Sequence, residues 1–100
     1  MHVISRKKLV DFWTRQGDAK TALAAWFRVA RRARWEQWAD VQRTYPKASY
    51  FNCCLVFNIG GNRYRLVVRR SANWKTLFVV GVYTHPEYDQ GAWKAFCVCR

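Results

Sequence analysis

The sequence predicts an α+β fold in which two to three N-terminal helices pack on a small antiparallel sheet of three to four strands. In the first half of the chain, apolar residues recur at helical spacing, and from Tyr50 onward they alternate as they do in strands. The pair Gly60-Gly61 lies between two alternating runs and is typical of a hairpin turn. Because 100 residues leave no room for a second hydrophobic core, we expect one domain over residues 1–100.

A short apolar segment opens the chain, and helices follow it. Residues 2–4 predict a first strand, after which Ser5 is the candidate N-cap of a helix that runs to Gly17. Asp18 is the candidate N-cap of a second helix. Residues 35–44 predict a short third helix or turn, which ends at Tyr45-Pro46 because the residue before a proline is biased out of the helical region.

The second half of the chain begins with a predicted hairpin. Residues 51–59 and 63–70 read as its strands, and a two-residue turn at Gly60-Gly61 would pair Ile59 with Asn62. That pairing would fix the register of the whole hairpin. One face is then apolar and turns towards the core. The other face is open and carries three arginines, Arg63, Arg65 and Arg69.

A third strand is predicted over residues 77–83, where a continuous apolar run indicates a strand that is covered on both sides. It ends at the polar segment 84–89, which contains His85, one of two histidines in the chain. An imidazole exchanges protons near neutral pH, and Tyr88 places a phenol nearby. This segment therefore suggests proton transfer, with His85 as its general acid or base.

The net charge of +12, from 18 Lys and Arg against 6 Asp and Glu, indicates a polyanionic partner. Arg65 in the middle of a strand on the open face is suited to hold a phosphate through two parallel hydrogen bonds. Tyr88 can donate a hydrogen bond to phosphate or stack on a base. An RNA cleaver needs little more, because RNA carries its own nucleophile in the 2′-hydroxyl.

Membrane, cofactor and metal classes are disfavoured by the sequence. No apolar run approaches the ~20 residues of a membrane-spanning helix, and the first residues have no signal-peptide core, so we expect a cytoplasmic protein with no membrane partner. The sequence has no phosphate-binding glycine loop and no zinc-finger spacing, and we expect no cofactor and no metal.

The four cysteines stand as Cys53-Cys54 and as Cys97 and Cys99. Side chains of adjacent residues alternate across a strand, which is poor geometry for two ligands of one metal. Neither pair has the usual spacing of a structural zinc site. We therefore expect free, partly buried thiols.

Two segments in order carry a family resemblance. Residues 56–68 (VFNIGGNRYRLVV), followed by residues 84–89 (THPEYD), resemble the HigB-type toxins of the RelE superfamily. The opening residues 1–5, Trp35, Asp40-Val41 and Tyr45-Pro46 also fit that pattern, so the similarity runs from residue 1 to about 90. Residues 81–83 differ from the usual approach to the second motif, and the tail 91–100 has no recognised counterpart.

The resemblance implies a RelE-like fold and a small endoribonuclease that enters the ribosomal A site and cuts translated mRNA. It also implies a HigA-type helix-turn-helix antitoxin as partner, with operator DNA bound only through the toxin–antitoxin complex. Arg65 resembles the phosphate-stabilising arginine of the superfamily, and His85 and Tyr88 occupy the stretch where these toxins place catalytic residues. The expected RNA-binding residues are Arg63, Arg69, Asn58 and Asn62.

Two alternatives remain open at the level of sequence. The same charges would serve a non-catalytic RNA- or ribosome-binding module, in which Arg65 is one phosphate contact among many. A degenerate toxin would act mainly by binding its antitoxin. The tail 91–100 bears on this choice, because a tail packed over the open face would decide whether His85 and Tyr88 are accessible.

Overall fold

The computed structural model describes residues 1–99, which form helices and one five-stranded sheet. The strands are β1 (His2–Ile4), β2 (Ser49–Phe51), β3 (Cys54–Ile59), β4 (Tyr64–Arg70) and β5 (Thr76–Thr84). The helices are α1 (Arg6–Arg15), α2 (Lys20–Arg32), α3 (Trp38–Thr44) and α4 (His85–Gln90), with short 3₁₀ turns at Gly17–Ala19 and Ala92–Phe96. The α+β class predicted from the sequence is confirmed.

The sheet is larger than predicted and is mixed. Its order is β1-β5-β4-β3-β2, and β1 runs parallel to β5 while the other neighbours are antiparallel. The extra strand arises because the predicted strand 51–59 is broken after Phe51. Asn52 takes a positive φ of 50° there, and Phe51 pairs with Cys54 across a tight turn. The prediction of three to four strands was therefore wrong.

The predicted N-cap at Ser5 is confirmed, and the predicted N-cap at Asp18 is wrong. Ser5 occupies the N-cap of α1, but the residues around Asp18 form a 3₁₀ turn and α2 begins only at Lys20. The Asp18 carboxylate accepts hydrogen bonds from the Tyr64 hydroxyl at 2.8 Å and from the Arg63 guanidinium at 2.8 Å. Because these partners lie in the distant hairpin, no local pattern could reveal them. The third helix begins at Trp38, and α4 follows the sheet, so the helices are not confined to the N-terminal half.

The hairpin register differs from the prediction by two residues. Ile59 pairs with Tyr64 rather than with Asn62, and Arg63 N donates to Gly60 O at 3.3 Å across the turn. Gly60, Gly61 and Asn62 all have positive φ, so the turn is longer than the predicted two-residue loop. Since side chains alternate with a period of two, a shift of two keeps each strand residue on its predicted face.

Both faces of the sheet are covered. On one face, helical residues such as Leu9, Leu23 and Trp26 pack on Phe57 and Leu66 to form the main core. On the other face, a smaller cluster joins the tail to the sheet; its members are Cys54, Val56, Val67, Trp93 and Cys97. The face predicted to be open is thus covered in part by the segment after α4.

Two disulfides fasten that segment to the sheet, which corrects the prediction of free thiols. Cys53 bonds to Cys99 and Cys54 to Cys97, with Cα atoms 5.3 and 5.2 Å apart. The tight turn at Asn52 lies directly before the pair Cys53-Cys54. The tail runs past this pair in the opposite direction, so Cys97 reaches Cys54 and Cys99 reaches Cys53.

Candidate active site

The segment 84–89 begins a helix, and a capping box holds its first turn. Thr84 is the N-cap of α4: Glu87 N donates to Thr84 Oγ1, and the Glu87 carboxylate accepts from Thr84 N at 2.9 Å and from Thr84 Oγ1 at 3.0 Å. His85 and Pro86 are the first two helical residues, where a proline is favoured. Glu87 therefore caps the helix and does not orient the imidazole.

His85 and Arg65 meet at one backbone group. His85 Nε2 donates to the main-chain carbonyl oxygen of Asn62, and Arg65 Nη1 lies 3.3 Å from the same oxygen. Because a carbonyl oxygen only accepts, Nε2 carries the hydrogen in this contact, and Nδ1 is then the nitrogen that can take a proton from a substrate. The His85 side chain is exposed, and Arg65 is half-buried.

Tyr88 completes this group of residues. It lies three residues after His85 in α4, so both side chains leave the helix on the same side. The Arg65 guanidinium carbon is 5.7 Å from the centre of the Tyr88 ring, which is cation–π distance. The structure thus brings Arg65, His85, Tyr88 and Asn62 together, and we call these four residues the Arg65 cluster.

Two strand residues flank Arg65 on the same face of the sheet. Asn58 is its partner on β3 and is exposed, and Tyr83 is its partner on β5. The Tyr83 ring lies over Gly81, where a Cβ atom would come within 2.8 Å of the hydroxyl oxygen. Burial of the phenol raises the pKa of Tyr83, and the nearby Glu87 carboxylate raises it further. Sequence reasoning did not single out Tyr83, although it marked residues 81–83 as unusual.

The other two predicted arginines lie away from the Arg65 cluster. Arg63 belongs to the hairpin turn and forms an ion pair with Asp18 on the helical side of the sheet, so its predicted place on the open face was wrong. Arg69 is on the same face as Arg65 but about 13 Å further along β4. Its guanidinium stacks on Phe78, 4.5 Å from the ring centre.

The tail leaves the Arg65 cluster accessible. Trp93 and Cys97 are buried against Val56 and Val67, whereas His85 is exposed and Tyr88 is half-buried. The tail therefore covers the middle of the face and stops beside the cluster. The pattern Thr84-x-x-Glu87 matches a capping box and could have predicted the start of α4. No sequence pattern reveals the packing of Trp93.

This arrangement provides a permanent cation, an imidazole and a phenol on one accessible patch, which suits a phosphodiester. Within residues 1–99, no group of three or more His, Cys, Asp and Glu side chains is placed to hold a metal ion. Over the same residues, no helix has both the length and the apolar character needed to cross a lipid bilayer.

Known proteins resemble this chain over most of its length. The sequence model of one family, described as HigB_toxin, RelE-like toxic component of a toxin-antitoxin system, matches residues 19–91. The mRNA interferase toxin HigB of Escherichia coli strain K12 is 28% identical over 92 residues, which cover 89% of this chain and 88% of that protein. The mRNA interferase HigB of Shigella flexneri shows the same identity and coverage.

The family match includes the hairpin, β5 and α4, and hence every residue of the Arg65 cluster. It ends at residue 91, just before the disulfide-bonded tail. Since the match spans well over half of the sequence, the chain belongs to the HigB toxin family, the RelE-like toxic component of toxin–antitoxin systems.

Proposed function

We propose that this toxin is a ribosome-dependent endoribonuclease that cleaves translated mRNA at the Arg65 cluster. One observation carries the proposal: Arg65 and His85 converge on the carbonyl oxygen of Asn62, with the Tyr88 ring beside the guanidinium. The chain has a net charge of +12, which favours binding of a polyanion. The relatives named mRNA interferases support the choice of substrate.

The chemistry follows from the substrate and these residues. The RNA 2′-oxygen attacks the adjacent phosphorus, the bond from phosphorus to the 5′-oxygen breaks, and the products are a 2′,3′-cyclic phosphate and a 5′-hydroxyl. Arg65 stabilises the negative charge that builds up on the phosphate oxygens. His85 accepts the proton of the 2′-hydroxyl at Nδ1 and returns it to the departing 5′-oxygen. Tyr88 stacks on or aligns the nucleotide at the cleaved bond.

Further RNA contacts are proposed around this centre. Asn58 is exposed opposite Arg65 and is positioned for a contact to the nucleotide held there. Asn62 contributes its carbonyl oxygen to the cluster, and its exposed side chain in the turn is available for a contact to RNA. Arg63 and Arg69 lie further out and would bind the RNA backbone on either side, with Arg63 exchanging its Asp18 partner for a phosphate.

Membership of the family implies an antitoxin partner. We propose a HigA-type protein with a helix-turn-helix fold, through which the complex, and not the toxin alone, binds operator DNA. We also propose that the toxin acts in the cytoplasm, where its ribosome-bound substrate is found. Whether the adjacent reading frame encodes a small helix-turn-helix protein tests the identity of the antitoxin.

Induced expression tests the catalytic roles. Wild-type protein should arrest growth, whereas Arg65→Ala and His85→Ala should not, because each removes a group from the reacting phosphate. Arg28→Ala is the matched control, since it removes an equal charge from an exposed position on α2. If the folded Arg65→Ala and His85→Ala variants arrest growth as strongly as wild type, the catalytic assignment is wrong.

Primer extension on translated messages separates cleavage from the two alternatives. The proposal predicts new 5′ ends on induction of the wild type and none with Arg65→Ala. Growth arrest without new 5′ ends would identify a non-catalytic RNA- or ribosome-binding module. No toxicity, together with tight binding to the antitoxin, would identify a degenerate toxin.

A further inference from the structure

Trp93 in the tail contacts Tyr88 of the Arg65 cluster. The rings of Trp93 and Tyr88 are stacked, with centroids 5.0 Å apart and planes 8° from parallel. Trp93 Nε1 also donates to the Tyr88 carbonyl oxygen at 3.0 Å. The Arg65 guanidinium is also a neighbour of the Tyr88 ring, so Tyr88 links Trp93 to Arg65.

Trp93 is itself held in place by the sheet. Only 3% of its surface is exposed, and it packs with Cys54, Val56, Val67 and Cys97. Phe51 meets it edge-on, with ring centroids 5.5 Å apart. Four residues after Trp93, the Cys97–Cys54 disulfide fastens the tail to β3. Trp93 therefore belongs to a covalently anchored part of the tail.

We propose that Trp93 is a positioning residue for the Arg65 cluster, held under Tyr88 by the Cys54–Cys97 disulfide. The proposal rests on the proposed function, because the cluster's reaction is RNA cleavage. Trp93 stacks on the Tyr88 ring and bonds to the Tyr88 main-chain carbonyl oxygen, so it fixes both the plane of the phenol and the backbone that carries it. A displaced Tyr88 no longer aligns the nucleotide against Arg65.

The disulfide makes this positioning sensitive to thiols. Two thiol groups of a reductant exchange with the Cys54–Cys97 bond: the sulfur–sulfur bond breaks, both cysteines gain a hydrogen, and the reductant forms its own disulfide. Cys97 lies four residues after Trp93, so reduction of this bond detaches the segment that carries Trp93 from its nearest covalent anchor on β3. We expect the reduced toxin to cleave RNA more slowly than the oxidised toxin.

Ring substitutions at Trp93 provide the first test. Trp93→Phe keeps a flat ring under Tyr88, whereas Trp93→Leu keeps an apolar side chain without a ring. Trp38→Leu is the matched control, because Trp38 also stacks on a tyrosine, Tyr50 of β2, a strand that contributes no residue to the Arg65 cluster. Single-turnover cleavage of ribosome-bound message should fall on the order of tenfold in Trp93→Leu, with little change in KM, since misplacement by a fraction of an ångström already costs rate. Trp93→Phe should recover most of it, and Trp38→Leu should remain within about twofold of wild type.

A second readout does not depend on cleavage. The Arg65 Nε–Hε NMR resonance senses the Tyr88 ring, and it should move in Trp93→Leu but not in Trp38→Leu. If wild type produces no cleavage, the proposed function fails, and this resonance still decides the positioning role. An unchanged resonance in folded Trp93→Leu, or an equal loss of rate in Trp38→Leu, overturns the proposal.

The disulfides offer variants that leave Trp93 itself intact. Cys54→Ala with Cys97→Ala should lower the cleavage rate and shift the Arg65 resonance, as should dithiothreitol on wild type. Cys53→Ala with Cys99→Ala is the control, because it removes a bond of similar span, 46 residues, whose Cys99 is exposed. Equal effects of the two pairs, or no effect of either, would overturn the role of the Cys54–Cys97 bond. This arm also decides the proposal if Trp93→Leu does not fold.

Discussion

His85 and Arg65 reach the same oxygen atom, the main-chain carbonyl of Asn62, from two different elements of the fold. His85 comes from the first turn of α4, and Arg65 from the strand that follows the hairpin turn. The geometry of the candidate active site therefore depends on two local structures, the turn at residues 60–63 and the capping box of α4. Damage to either one should lower activity without unfolding the protein.

Removal of the capping box should test this dependence. Thr84→Ala removes the side chain that accepts from Glu87 N, so the start of α4 should loosen and the free energy of unfolding should fall by about 1 kcal/mol. Cleavage should fall by a larger factor than the lost folded population, because His85 is the next residue. Urea unfolding and single-turnover cleavage measure the two effects. Thr14→Ala, which removes a hydroxyl bonded within α1, should leave cleavage unchanged.

The contact between Asp18 and Tyr64 should make stability depend on pH. Two hydrogen bonds lower the pKa of Asp18, the larger effect coming from Tyr64 and the smaller from Arg63. The Asp18 carboxylate in turn raises the pKa of Tyr64. Asp18 therefore stabilises the fold above its unfolded pKa, and this contribution is lost as pH falls through the lowered folded value. Tyr64 contributes below its unfolded pKa, and its share is lost as pH rises through the raised folded value.

The measurement is the urea midpoint of wild type and Tyr64→Phe as a function of pH. The difference between the two proteins should be largest from about pH 5 to pH 9 and should shrink outside that window. Tyr50→Phe is the control, because its hydroxyl bonds to Arg70 and not to a carboxylate. A difference between wild type and Tyr64→Phe that is constant from acid to alkaline pH would contradict the role of the Asp18 contact.

The two disulfides are nested, so their contributions to stability should not add. Each closes a loop of similar span, 46 and 43 residues, for which chain entropy gives about 4 kcal/mol. Once one bond closes the loop, the second removes little further freedom from the unfolded chain. Loss of either bond alone should therefore lower the free energy of unfolding much less than loss of both. Guanidinium unfolding of the two double alanine variants and of the quadruple variant measures these losses. Additive losses in the free energy of unfolding would contradict the expectation.

Gly81 leaves room for the Tyr83 ring next to Arg65. A Cβ atom there would lie 2.8 Å from the hydroxyl oxygen and 2.9 Å from the ring carbon that bears it, so Gly81→Ala should displace the half-buried ring and destabilise the protein by about 1–3 kcal/mol. Adding Tyr83→Leu should recover part of this loss, because the clash is with the ring. At Gly17 a Cβ atom meets nothing within 4 Å, so thermal unfolding of Gly17→Ala should match wild type.

The accessible arginine could be predicted from the sequence, but its surroundings could not. Alternation alone assigns Arg65 to the face away from the main core, and this survives the error in register because a shift of two residues preserves parity. The register itself depends on three consecutive residues with positive φ, and their residue types signal a turn without fixing its length. Arg63 was misplaced because its partner, Asp18, lies 45 residues away in the chain.

The tail was the least predictable part of the site. The cysteine spacing argues against a structural zinc site, but it does not reveal which sulfur atoms the folded chain brings together. Trp93 follows the left-handed Gly91 at the end of α4, and its place under Tyr88 results from packing on Val56 and Val67. Such contacts between distant segments leave no periodic trace. The family model ends at residue 91, so resemblance to known toxins does not supply them either.

Cleavage of a ribosome-bound message by purified protein tests the central claim most directly, with Arg65→Lys as the decisive variant. Lysine keeps the charge but loses the planar pair of donors that holds a phosphate. New 5′ ends should appear with wild type, and Arg65→Lys should produce them at least about a hundredfold more slowly, since removal of one charge-stabilising donor costs on the order of 10²–10³ in rate. Equal rates for the two proteins, or no new 5′ ends with wild type, would contradict cleavage at the Arg65 cluster.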